Sequence, residues 1–167
     1  GAAAGLSLLE ESDEMILVGD EAVIRTHVGG VIEKHKNVRI EPATQIITME
    51  DSPAKAIRGK PDSSIVRMVK LARGGGADAI ISAGNTGALM AMSKMVLKTL
   101  DGIDRPAIAS IVPTVRGEGV MLDLGANVQC DAQNLVQFAL MGDVFARTVL
   151  GLEKPSVGIL NVGEEDL

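Results

Sequence analysis

Apolar runs of strand length alternate with helix-length segments along this chain, and that alternation constrains the fold more than any other feature. Met15-Ile16-Leu17-Val18 is a short continuous apolar run closed by Gly19-Asp20, and residues 21–34 continue as a helical stretch. Residues 38–41 alternate as an edge strand does, and residues 45–48 read as another short extended piece. Ile65, Met68, Val69 and Ala72 recur at helical spacing within residues 64–73, and Gly74-Gly75-Gly76 stops that helix. Residues 79–82 predict a buried strand and residues 86–100 a helix. Residues 106–112 and 119–124 predict two strands, 134–150 a long helix and 157–161 a last strand. Strands that are apolar throughout and separated by helices predict an α/β domain with a mostly parallel sheet covered on both faces. The polar residues 49–63, with Pro53 and Pro61, form the longest irregular stretch: a lid, a binding loop or a surface connection.

Composition narrows the function. The 167 residues carry 8 Met and 2 Phe with no Trp or Tyr, so small aliphatic side chains and Met fill the core. A net charge of −6 argues against general nucleic-acid binding, which needs a basic face. An anionic small ligand is still compatible, because backbone N–H groups bind phosphate on acidic proteins. The single Cys130 rules out an internal disulfide and fits a reducing compartment. No apolar run reaches the ~20 residues of a membrane span, and no secretory signal opens the sequence, so a cytoplasmic location is expected. The chain starts without Met and stops soon after an apolar strand, as an internal piece of something longer does.

In open parallel sheets, ligands bind beyond the carboxyl ends of the strands. Three such ends are polar and Gly-bearing here: Ser82-Ala83-Gly84-Asn85-Thr86-Gly87, Asp123-Leu124-Gly125-Ala126-Asn127 and Asn161-Val162-Gly163-Glu164-Glu165. At the first, a helix starting near Thr86 presents unpaired N–H groups and a partial positive charge. Asn85 and Thr86 either cap that helix or meet a ligand oxygen. The spacing is neither a dinucleotide fingerprint nor a P-loop. At the second, Asp123 closes an apolar strand and needs partners: it orients a ligand, binds a metal or ties down the Gly125 turn. Glu164 and Glu165 sit where a helix dipole favours carboxylates without any function, and a general-base role is the alternative. Cys130 has no His after it to act as a base and reads as an inert thiol. His27 and His35 do not make a metal site by themselves. Arg58 and Lys60 concentrate positive charge in an acidic chain, either as a solvated loop or as contacts to phosphate or an acidic partner.

In this order, several stretches resemble the bacterial phosphate acyltransferase family of phospholipid synthesis (the PlsX family). They are Ile16 through Asp20, Lys60 through Ser64, Ser82 through Ala88, Gly102 through Ala107, Leu122 through Asn127, Leu135 through Gly142 and Asn161 through Glu165. The resemblance implies transfer of a fatty acyl group from acyl carrier protein to inorganic phosphate, giving an acyl phosphate. It implies a Rossmann-like fold shared with phosphotransacetylases and isocitrate- and isopropylmalate-type dehydrogenases. A homodimer loosely attached to the membrane, with no metal and no nucleotide cofactor, is implied as well. A phosphotransacetylase or phosphotransbutyrylase acting on acyl-CoA, and a non-catalytic phosphate- or carrier-protein-binding module, are the competing readings. Under the leading one, Asn85, Asn127, Asn161 and Lys60 are the catalytic candidates. Ser82, Gly84, Thr86, Gly87, Asp123, Gly125, Gly163 and Glu164 are the phosphate- and substrate-binding candidates. Arg58, Lys60 and Arg67 form the expected basic patch for the carrier protein. The family's N-terminal strand, with an Asp-x-Met-Gly-Gly-Asp motif, and its C-terminal portion are not among these residues, so the chain is expected to be a partial single domain.

Overall fold

The computed structural model describes residues 2–160, which fall into two compact units, one up to Lys98 and one from Thr99 onward. In the first unit a short helix α1 (Ala2–Gly5) and a 3-10 turn (Leu6–Leu8) precede strand β1 (Met15–Gly19). Helix α2 (Glu21–Ile32) then returns the chain to strand β2 (Val38–Pro42), which runs parallel to β1 in the register Met15↔Val38 to Gly19↔Pro42. A helical crossover is what parallel pairing requires. Asp20 starts α2 by accepting the Val23 N–H at 3.0 Å, the N-cap bond for which Asp is favoured.

Residues 49–63 are less irregular than their composition suggests, because they contain helix α3 (Pro53–Gly59). Pro53 occupies the first turn, where its missing N–H costs nothing and its fixed φ suits a helix. The expected extended piece at 45–48 reduces to one parallel bridge, Gln45↔Ser63. Helix α4 (Ser64–Arg73) and helix α5 (Thr86–Val96) complete the unit. Its core is the seam of α3, α4 and α5: Ala56, Ile57, Ile65, Val66, Val69, Ala88 and Met92, with Ile47 beneath. Val69 and Met92 are almost completely enclosed, and burial of each contributes about 1.5–3 kcal/mol. The buried face of α4 is centred on Ile65, Val66 and Val69, with Met68 and Ala72 at its half-buried margin.

The expected buried strand at 79–82 is not formed. An apolar run becomes a strand only by exchanging backbone hydrogen bonds with a neighbour, and no described strand pairs with it. Ile80 rests against the helical core, while Ile81 is 94% exposed. A cleft of about 460 Å³ lies alongside, lined by Ile16 and Val18 of β1, Val23 of α2, Met68 of α4, and Ile81 and Ser82.

The second unit corrects the expectation of a mostly parallel sheet. Strands β3 (Ala109–Thr114) and β4 (Gly117–Leu122) pair antiparallel, Ala109↔Leu122 to Thr114↔Gly117. The reason is connection length: Val115 and Arg116 alone join them, whereas a parallel crossover takes a dozen residues or more. Helix α6 (Ala132–Val149) packs against β4 and is started by a reciprocal capping box between Asp131 and Asn134. Residues 157–160 form no strand and expose Ile159 and Leu160. The described residues are therefore α/β, with one parallel pair in one unit and one antiparallel hairpin in the other.

Candidate active site

In the first unit the candidates gather where α5 begins. Asn85 is its N-cap and is 6% exposed. Its Oδ1 accepts the Ala88 N–H at 2.9 Å, and its Nδ2 donates to the carbonyls of Thr48 at 2.9 Å and Asp51 at 3.2 Å. The Asn85 carbonyl accepts the Leu89 N–H at 3.0 Å. The Leu89 bond is the first intrahelical one, and the Ala88 N–H is one of the four that a helix start leaves without intrahelical partners. Two more of the four, on Thr86 and Gly87, belong to exposed residues. An anion set against them meets two donors and the positive end of the α5 dipole.

The neighbouring candidates divide by what holds them. The Gly84 N–H is taken by Ser82 Oγ at 3.1 Å, so the turn closes on itself there. A Cβ on Gly84 would meet its nearest atom at 3.4 Å, and space does not require glycine at that position. Gly87 differs: a Cβ there would lie 3.0 Å from Pro53 Cγ, so glycine lets the start of α5 approach the start of α3.

Lys60 reaches the same segment as Asn85. Its Nζ donates to the Ile46 carbonyl at 2.9 Å and pairs with the Asp51 carboxylate. The Lys60 hydrogen bond, followed by the Thr48 N–H, holds Asp51 below the usual carboxylate range. Asn85 and Lys60 are thus brought together through one short turn, residues 48–51. Asp51 had no assigned role in the sequence reading, although Pro53 at a helix start was a signal that this stretch is ordered.

The basic patch expected of Arg58, Lys60 and Arg67 is largely neutralised. Arg67 pairs with Asp62 and, at 2.8 Å, with Glu41. Asp62 also accepts the hydroxyl and the N–H of Thr44; these bonds, then that from Arg67, lower its pKa to about 2. Lys60 serves Asp51, and Arg58 is exposed.

In the second unit Asp123 and Asn127 tie their turn to residues 106–108. Asp123 Oδ1 accepts the Ile108 N–H at 2.8 Å. Its Oδ2 accepts the Asn127 N–H at 2.8 Å and Asn127 Nδ2 at 3.0 Å. Burial pushes the Asp123 pKa up, but the bonds from Ile108, Asn127 and Ala126 outweigh it and leave the pKa lowered. Asn127 Nδ2 also donates to the Pro106 carbonyl at 3.0 Å. Gly125 sits at φ +81°, which a side-chain-bearing residue rarely adopts. Cys130 is exposed, with Sγ 3.7 Å from the Asn127 carbonyl. Asn161, Gly163 and Glu164 lie outside the described residues. Among the described residues no group of three His, Cys, Asp or Glu side chains is placed to hold a metal, and no helix is long and apolar enough to cross a membrane.

A sequence model of the family described as fatty acid synthesis protein matches residues 2–167. A phosphate acyltransferase of Magnetococcus marinus is 53% identical over 150 residues, covering 90% of this chain and 43% of that protein. One of Methylococcus capsulatus is 48% identical over 167 residues, covering 98% of this chain and 49% of its own length. One of Acidiphilium cryptum is 57% identical over 130 residues, 78% of this chain and 34% of that protein. The chain spans about half the length of the curated relatives it matches.

Proposed function

The chain belongs to the fatty acid synthesis protein family, and on that premise we propose that the full-length protein transfers a fatty acyl group from acyl carrier protein to inorganic phosphate. The observation that carries the site assignment is the start of α5. Thr86 and Gly87, the first two residues of α5, are exposed beside an Asn85 whose amide is fixed by three hydrogen bonds. Phosphate held there needs no covalent enzyme intermediate, because its oxygen is already a nucleophile. That oxygen forms a C–O bond to the thioester carbon while the C–S bond breaks. The thiolate leaves on the carrier and takes up a proton, and the product is an acyl phosphate.

Positioning of the two reactants can lower the barrier by about 7–11 kcal/mol when the geometry is close to that of attack. Donors facing the developing oxyanion add to this. Lys60, Asn127 and Asn161 are the candidates for that role, and Asp123, Gly125, Gly163 and Glu164 for substrate contacts. The complete protein is proposed to extend the parallel β1–β2 pair into a Rossmann-like sheet. It would act as a homodimer at the membrane surface, without metal or nucleotide cofactor. The relatives' name, phosphate acyltransferase, supports the reaction type.

The test is to incubate the full-length protein with acyl carrier protein thioesters or CoA thioesters at equal concentration, with and without phosphate. Phosphate-dependent formation of acyl phosphate, faster from the carrier protein, is expected. Faster reaction from CoA would reassign the donor, and thioester loss indifferent to phosphate would overturn the reaction.

A further inference from the structure

We infer that Asp51 is a positioning residue of the site, holding Lys60 and Asn85 in a fixed relation through the turn of residues 48–51. The inference rests on the phosphate-transfer reading above and adds a residue to it.

The turn is closed from both sides. The Asp51 N–H donates to the Thr48 carbonyl at 3.3 Å, and the Thr48 N–H donates to Asp51 Oδ2 at 2.7 Å. The two carbonyls at the ends of this turn, Thr48 and Asp51, are the two acceptors of the Asn85 amide. Their spacing therefore sets the plane of that amide. Its plane in turn aims Oδ1 at Ala88, so that the cap consumes the third N–H of α5, while the first two belong to exposed residues. The same Oδ2 that closes the turn also accepts from Lys60 Nζ. One carboxylate oxygen thus serves two distant parts of the site, the end of α3 and the start of α5.

Removing its charge acts on both. An Asp51→Asn side chain presents the same shape but offers Lys60 no negative partner, which frees a long flexible cation that had been anchored between Asp51 and the Ile46 carbonyl. The turn loses its stronger, charge-assisted closing bond, and the Asn85 amide loses its fixed frame. The Asp51 carboxylate bonds to Thr48 and Lys60 and not to the first N–H groups of α5, which distinguishes it from a residue that contacts substrate.

The experiment is steady-state kinetics on the full-length protein, varying phosphate and thioester separately. Asp51→Asn, Asp51→Glu, Lys60→Met, the Asp51→Asn/Lys60→Met double variant and an Arg25→Ala control are compared with wild type. Asp51→Asn is expected to lower kcat/KM for phosphate about 100-fold, the size of a small misplacement, mainly by raising KM for phosphate with KM for the thioester unchanged. Asp51→Glu recovers part of the loss, Arg25→Ala matches wild type, and the double variant loses less than the product of the two single losses. A merely structural role would reduce the active fraction, lowering kcat with both KM values intact. That result, or single losses that multiply, overturns the inference. Wild-type protein that forms no acyl phosphate overturns the transfer reaction and this inference together, and is distinguished by that absence.

Discussion

Asn85 and Asn127 sit in similar sequence settings, each in a Gly-bearing turn, and the structure gives them different sets of partners. The Asn85 amide reaches carbonyls 37 and 34 residues away in the chain, so it joins two segments. The Asn127 amide returns to Asp123, four residues back, and reaches the Pro106 carbonyl, 21 residues away. It shapes its own turn with the help of Gly125. A short polar motif therefore does not announce which distant segment its side chain reaches.

The largest expected effect is at Asn85. Asn85→Ala removes a helix cap and strips two carbonyls of their donor, and should destabilise the protein by about 2–4 kcal/mol in denaturant unfolding. A cost below about 1 kcal/mol would place Asn85 with the local turns. Asn127→Ala should cost about 1–2 kcal/mol and speed hydrogen exchange in residues 106–127 while leaving α5 unchanged. Faster exchange in α5 would break the distinction between the two turns.

Acid titration sharpens the same contrast between two carboxylates. Asp62 has its folded pKa lowered from 3.8 to about 2, so its contribution to stability is present above 3.8 and lost as pH falls toward 2. Asp123 is also lowered from 3.8, against the opposing effect of burial, and its contribution disappears in the same direction. Carboxyl-carbon NMR should place both midpoints below 3.8, with Asp62 near 2. A midpoint at or above 3.8 for either would show that its hydrogen bonds do not hold in solution. The smallest effect belongs to the exposed Glu21–Arg25 pair of α2, where Arg25→Ala should change stability by no more than about 0.5 kcal/mol.

How much of this was legible follows from the range of the interactions. Helix α4 was readable to its ends, Ser64 and Arg73, because its apolar spacing and the glycines after it are local signals. Strand β1 and the body of α6 were readable for the same reason. The segment 79–82 was misread because its composition is that of a strand, while strand formation depends on a partner elsewhere. The β3–β4 hairpin was misread as part of a parallel sheet although only six residues separated the two expected strands, too few for a crossover. In the site, the cap at Asn85 was readable from residue type and position. Its link to Thr48 and Asp51, and the pairing of Lys60 with Asp51, were not, because no periodicity carries a contact across the loop and helix α3. The same holds for Arg67, whose expected place in a basic patch gives way to Asp62 and Glu41.

The measurement that tests the central claim most directly is KM for phosphate in the full-length Asn85→Asp variant. An aspartate keeps the oxygen that caps α5 but loses the amide donors to Thr48 and Asp51, and it sets a negative charge beside the Thr86 and Gly87 N–H groups. If phosphate binds at the start of α5, its KM rises about 100-fold, equivalent to about 2.7 kcal/mol, while KM for the acyl thioester stays as in wild type. An unchanged KM for phosphate would contradict the account and move the phosphate site away from α5.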